Sequence, residues 1–290
     1  MFLQQLINGI MLGSTYSLVA IGYTLIFGVL NVLHFAHGEV FMIGAFIGLE
    51  FVLLAKMNIA IAIIAAMAGA GLLGMVIERG VIRLIKREYP LAPLSATIGL
   101  TVVLQEGGTK IFGGDTVGFP ETFQAETYRF GNISIDSTQI IILAISFLLM
   151  ATLTLFVKKT RTGKAIRAVA ENPVTARLLG VNIHRVTMLT FAISSALAGA
   201  AGVLVGLAYN AISPFMGTRM ALLSFAIMLL GGLGNITGAM AGGLILGVVE
   251  VLSTVYISSS YRDAFAFGTM VLILIFRPSG LFGTKLQRGR

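Results

Sequence analysis

The chain has 290 residues, 57% of them hydrophobic and 11% charged; a soluble domain carries roughly 25% charged residues, so this composition excludes a water-soluble protein and points to one membrane domain spanning 1–290. The absence of cysteine removes disulfides, thiolate nucleophiles, iron–sulfur clusters and cysteine-ligated zinc together. The formal charge of +8 does not indicate nucleic acid, because the basic residues cluster between hydrophobic runs, as the positive-inside rule requires of cytoplasmic loops.

A membrane span needs about 20 apolar residues. The first run is Leu6 to Leu30. No charged start of a signal peptide precedes it in Met1 to Gln5, so it is expected to stay as a span. Its row Gly9, Gly13, Ser17 recurs every four residues, which puts small side chains on one helix face suited to close packing. Further runs follow at Val40 to Leu54, Ile59 to Ile77, Leu94 to Phe112, Gln139 to Val157, Val186 to Tyr209, Met220 to Leu233, Gly238 to Tyr256 and Ala264 to Phe276. The expected fold is therefore all-α, a polytopic helical membrane protein with eight or nine spans. The runs near Val40 and Met220 are short enough to be broken or re-entrant.

Sidedness follows from charge. Arg79, Arg83, Lys86 and Arg87 mark one cytoplasmic segment, and counting back puts the N-terminus outside if each of the first three runs crosses. The polar stretch Gly113 to Thr138, with Asp115, Glu121, Glu126 and Asp136 against Arg129, faces the exterior or periplasm. The most basic stretch, 158–185, holds Lys158, Lys159, Arg161, Lys164, Arg167, Arg177 and Arg185 against Glu171. It is cytoplasmic and helical in pattern, with Pro173 after Asn172 reading as a helix start. Its charges and its apolar residues Ala168, Val169, Ala176, Leu178 and Leu179 suit either the membrane surface or a partner's groove.

Several polar residues interrupt the apolar runs. Asn31, His34, His37 and Glu39 stand between the first two runs, with Gly38 permitting a backbone break. They read either as a pathway-lining or gating element or as a short surface loop. A metal site is the weaker third reading, since no His-Glu-x-x-His is present. Glu50, Glu106 and Glu250 lie in or at the ends of apolar runs, Glu250 deepest, with no partner visible in the sequence. Tyr209-Asn-Ala-Ile-Ser-Pro214 reads as a turn or as the cap of an outer mouth. Gly28-Val-Leu-Asn31 with Gly44-Ala45 loosely echoes Gly232-Leu-Gly-Asn235 with Gly238-Ala239, a match that chance suffices to produce in a glycine-rich chain. No P-loop exists: near Gly163-Lys164, Lys158 stands where the first glycine belongs and Ala165 where Ser or Thr belongs. No catalytic constellation stands out.

Four motifs in order carry a resemblance. Gly13-Ser-Thr-Tyr-Ser-Leu18 followed by Asn31 to Glu39, Arg167-Ala-Val-Ala-Glu-Asn-Pro173 running to Leu178-Leu-Gly-Val-Asn182, Gly231-Gly-Leu-Gly-Asn235 with Gly238-Ala239, and Arg277-Pro-Ser-Gly-Leu-Phe-Gly283 resemble the branched-chain amino acid ABC-transporter permeases (LivH-like) over nearly the whole chain. The resemblance implies a non-enzymatic permease subunit in a bacterial or archaeal cytoplasmic membrane. It implies a second homologous permease, two ATP-binding subunits that use ATP and Mg, and a periplasmic solute-binding protein. It also implies a coupling segment including Arg167, Glu171, Asn172, Ala176, Leu179 and Gly180, entering an ATPase groove. Asn31, His34, His37, Gly38, Glu39, Asn235 and Glu250 are the candidate pathway or gating residues; no catalytic residue, metal or bound cofactor is expected. Leu, Ile and Val are the expected solutes, with urea or short amides as the alternative within related permeases, and a stand-alone secondary transporter or channel as the rival mechanism.

Overall fold

The computed structural model describes residues 1–55, 58–85, 91–120, 126–130 and 133–283; Lys86, Arg87, Glu121 and the basic residues after 283 lie outside them. The helices are α1 (Phe2–Leu30), α2 (His37–Ala55), α3 (Ile59–Gly80), α4 (Ala92–Phe112), α5 (Ser137–Lys159), α6 (Arg161–Glu171), α7 (Pro173–Leu178), α8 (Ile183–Tyr209), α9 (Met216–Gly231), α10 (Ile236–Tyr256) and α11 (Arg262–Phe276). Among the described residues six helical stretches are long and apolar enough to cross a membrane: α1, α3, α5, α8, α10, and α11 with its preceding turn. The others of membrane character are α2, α4 and the 16-residue α9. At 1.5 Å per residue α9 extends only about 24 Å, less than the roughly 30 Å hydrocarbon core. Among the described residues there are also two small antiparallel ribbons: β1 (Val117–Gly118) with β4 (Ala211–Ile212), and the hairpin of β2 (Thr127–Phe130) with β3 (Ile133–Asp136).

Small residues set the packing. Gly9, Gly13 and Ser17 of α1 meet Gly243 and Gly247 of α10 so closely that a Cβ at Gly13 would lie 2.8 Å from the Gly243 carbonyl oxygen and from Leu244 Cα. Ser17 Oγ donates to the Gly13 and Met240 carbonyls at 2.8 and 2.9 Å. Lipid supplies no hydrophobic drive between helices, so such backbone approach is what holds them. A second seam joins α3 to α8 through Ala66, Ala70, Gly74, Ser195 and Gly199.

Sidedness is visible in the elements. Gln4 Oε1 accepts from the Ser134 N–H at 2.9 Å, tying the start of α1 to the acidic hairpin. At the other end, Leu30 and Asn31 share a cavity wall with Arg167. By the positive-inside rule the basic end is the cytoplasmic one, and the hairpin and Arg167 stand at opposite ends of α1.

The fold contains a repeat in opposite orientation. α1 and α8 are the two long helices, and both end at an asparagine in left-handed conformation, Asn31 (φ 55°) and Asn210 (φ 50°). This conformation costs most residues about 1–2 kcal/mol, which asparagine evades through local hydrogen bonding. Connections of equal length, 31–36 and 210–215, then lead into the short helices α2 and α9. The equivalence links 31–39 to 210–218 and not 28–31 to 232–235, the echo read from sequence. Gly28 and Gly234 are instead neighbours at the cytoplasmic end, a Cβ at either lying 3.7 Å from the other's Cα.

Candidate functional site

The starts of α2 and α9 meet inside the bundle. A Cβ at Gly38 would overlap the Gly217 carbonyl oxygen, and one at Gly217 would lie 2.7 Å from the Glu39 carboxyl carbon. Thr218 Oγ1 donates to Glu39 Oε1 at 3.2 Å, and these residues are 179 apart, like Asn31 and Asn210. His37 lies against Gly22, which precedes the end of α1 by about 12 Å of helix. The 31–39 segment therefore turns back into the bundle; it is not a surface loop. His34, His37 and Glu39 are all buried.

Their chemistry is constrained. His34 packs on Phe191 (centroids 5.1 Å) and His37 edge-on to Tyr23 (5.8 Å). Neither His34 nitrogen has a hydrogen-bond partner, and His37 has only an off-geometry approach to the Val19 main chain. Among the described residues no group of three or more His, Asp or Glu is arranged to hold a metal. The carboxylate of Glu39 lies in the first turn of α2 and over the first turn of α9. Both helices present a positive N-terminal end there, so one side chain neutralises two. Gly38 is required by the approach of the two backbones, not by its dihedral freedom.

A second cluster lies toward the outside. Glu250 of α10 is fully buried, and its Oε1 accepts from Tyr16 Oη at 3.0 Å, from Arg219 Nη2 at 3.2 Å and from Arg262 Nε. Arg219 also donates to Asp263 through Nε (3.1 Å) and Nη2 (2.6 Å). Arg262 Nη2 donates to Tyr16 Oη and Tyr209 Oη, with its guanidinium 5.5 Å from the Tyr209 ring centroid. The knot joins α1, α8, α9, α10 and α11. Removing a buried charge from water is tolerated only where it is paired, and here two guanidiniums meet two carboxylates. Cavities of about 300 and 230 Å³ flank the knot, sharing Tyr209 and Arg262 as walls.

The cytoplasmic end holds the third group. Asn172 Oδ1 accepts from the Val174 and Thr175 N–H groups, both at 3.0 Å, and Pro173 opens α7. α7 closes on Gly180 (φ 83°), with Val181 N–H donating to the Ala176 carbonyl and Gly180 N–H to that of Arg177; this pair of bonds is a Schellman stop. Val169 and Ala176 are buried and anchor the elbow. Ala176 is thus no part of an exposed docking face. Val174, Leu178 and Leu179 stand 68%, 83% and 78% exposed, and Arg167, Glu171, Asn172 and Gly180 are exposed beside them. Arg167 and Gly234 line two cytoplasmic cavities, of about 710 and 360 Å³; Asn31 and Glu171 border the first and Asn235 the second.

Asn235 also caps α10 by accepting from Gly238 N–H (3.0 Å) and clamps the tail by donating to the Phe282 carbonyl (2.8 Å). The two glycine motifs of the sequence are one unit: Leu281 and Phe282 donate N–H bonds to the carbonyls of Leu230 and Gly231. Sequence reasoning missed Tyr16, Arg219 and Arg262. Their available signal was that two arginines open apolar runs on the outer side, against the positive-inside bias, while Glu250 lacked a partner.

Comparison with known proteins gives a consistent set of relatives. Residues 5–274 match the family model described as "Branched-chain amino acid transport system / permease component". The chain is 39% identical to the high-affinity branched-chain amino acid transport system permease protein LivH of Escherichia coli (strain K12), over 97% of this chain and 96% of that protein. It is equally identical, with the same coverage, to the corresponding permease protein BraD of Pseudomonas aeruginosa. Half of the chain is 32% identical to the E. coli permease LivM, covering 35% of that protein.

Proposed function

The chain belongs to the family of branched-chain amino acid transport permeases, and from that premise we propose that it is the membrane-spanning subunit of an ATP-driven importer for leucine, isoleucine and valine. It is a multi-pass integral protein of the cytoplasmic membrane. A second homologous permease pairs with it; that LivH and LivM of one organism bear the name of one transport system supports this pairing. Two ATP-binding subunits dock on the cytoplasmic end, and a periplasmic solute-binding protein delivers the solute outside. ATP and Mg act in those partners.

The observation that carries the reading is the exposed α7. A helix of six residues, capped at both ends and anchored by a buried alanine, presents Val174 and Leu178, with Leu179 directly after it, away from the bundle. Such a face is left without burial until a partner's groove covers it. Segment 158–185 is the coupling element: Arg167, Glu171, Asn172, Leu179 and Gly180 form its contact surface and Ala176 its anchor. Each nucleotide state of the ATPases favours one permease conformation by differential contacts at α7. His34, His37, Gly38 and Glu39 are the pivot between the two inverted halves, with Asn31 and Asn235 at the cytoplasmic mouth and Glu250 at the outer one.

The test is affinity purification of the tagged chain from its host in mild detergent, with co-purifying proteins identified by mass spectrometry, followed by uptake assays in proteoliposomes. Recovery of a second permease and two P-loop ATPases, with ATP-dependent leucine uptake, is the expected result. Repeated recovery of the chain alone in several detergents overturns it in favour of a secondary transporter or channel.

A further inference from the structure

We infer that the outer cavity between α2, α8 and α9 is a binding site for the zwitterion of an aliphatic amino acid, with Arg219 and Arg262 receiving its carboxylate. The inference rests on the proposed importer function and names a solute site within it. The cavity of about 230 Å³ matches the size of such a solute. One wall is apolar, built by Phe41, Val205, Met216, Met220 and Leu223, which suits a branched aliphatic chain and offers urea nothing. Tyr16, Arg219 and Arg262 line the cavity as well, Arg219 on the same face of α9 as Met216, Met220 and Leu223.

The arginines are pre-positioned and only partly used. Among the described residues their hydrogen bonds run through Nε and Nη2, which leaves Nη1 of each to donate to a carboxylate. Two guanidiniums bordering one small cavity are the geometry that recognises a carboxylate through paired donors. The knot is charge-balanced, so an entering anion alone would unbalance it, whereas a zwitterion would not. The acceptor for the ammonium is Glu250: it is fully buried, lines the adjoining cavity, and its Oε2 has no hydrogen-bond partner although Oε1 takes three. An unpaired buried carboxylate oxygen is costly, and an ammonium between the two cavities would satisfy it. Tyr209 and Arg262 line both cavities.

The experiment titrates the assembled complex, purified without the solute-binding protein, with tritiated leucine in a scintillation-proximity assay. Saturable binding is expected, displaced by isoleucine and valine but at least tenfold less well by leucinamide, which lacks the carboxylate, and not by urea. Arg219→Gln is expected to weaken binding at least tenfold and Arg219→Lys less, in complexes that still co-purify with their partners. Displacement by leucinamide as effective as by leucine overturns the role of the arginines without reliance on any variant. Absence of saturable binding in a complex that imports leucine once the solute-binding protein is added overturns the site and leaves the importer reading intact. A complex that imports urea and not leucine overturns the reading on which the site rests.

Discussion

Gly38 and Gly217 touch backbone to backbone at the point where the two inverted halves of the protein cross: a Cβ on Gly38 would overlap the Gly217 carbonyl oxygen. Each opens a short helix that starts inside the bundle, and each is followed by a residue of a side-chain hydrogen bond across the crossing, Glu39 with Thr218. The contact leaves no room for a methyl group. Gly38→Ala is therefore expected to destabilise the protein by about 1–3 kcal/mol, the usual cost of overpacking, and to lower transport at least tenfold. Gly80→Ala, where an added Cβ meets nothing within 4 Å, is the control. Thermal unfolding in detergent and uptake in proteoliposomes read both; an unaltered Gly38→Ala protein would show that the crossing opens freely.

Glu39 compensates two helix N-termini at once. Glu39→Ala is expected to cost about 1–2 kcal/mol of stability, at the upper end for a buried helix-terminus charge, and to impair transport while the complex still assembles. Co-purification and uptake, measured together, check this. Full transport in the variant would reduce Glu39 to a space-filling role.

Leu178 and Leu179 are almost free of neighbours, so replacing both with Asp is expected to change the fold's stability by no more than about 0.5 kcal/mol each. ATP-dependent uptake and recovery of the ATPase subunits should nevertheless fall at least tenfold. Glu171→Ala should act in the same direction. Normal uptake in all of these variants would remove α7 from the coupling interface.

The shape of α7 depends on its ends. Asn172→Ala removes the side chain that accepts two N–H groups, at a cost of about 1 kcal/mol, and Gly180→Pro cannot adopt the positive φ that ends the helix. Both are expected to raise hydrogen exchange in 172–181 and weaken ATPase recovery, with membrane insertion unchanged. Unaltered exchange would mean that α7 is held by its anchor Ala176 alone.

Much of the membrane architecture was legible in the chain because hydropathy and charge are local. The apolar runs became helices within a few residues of their expected bounds, and the short runs at Val40 and Met220 are the two helices that start inside the bundle. The row Gly9, Gly13, Ser17 forms the seam it suggested, since four-residue spacing places side chains on one face whatever the partner. Pro173 opens a helix because its missing N–H and fixed φ suit that position. The repeat was not legible, because the matching segments share only Asn and Gly at equivalent points: His34 stands against Ser213 and Glu39 against Thr218.

What the sequence determined by itself was the solvent of the protein, its helical class and, through the order of its motifs, its family. Tertiary structure alone decided that His34, His37 and Glu39 are buried and that Glu250 is paired. The carboxylate of Glu250 meets Tyr16, Arg219 and Arg262 from three other helices. Backbone propensity says nothing about which helix faces lie opposite one another; that is set by how closely glycine-lined surfaces approach, and only then do isolated charges find the partners that make their burial tolerable.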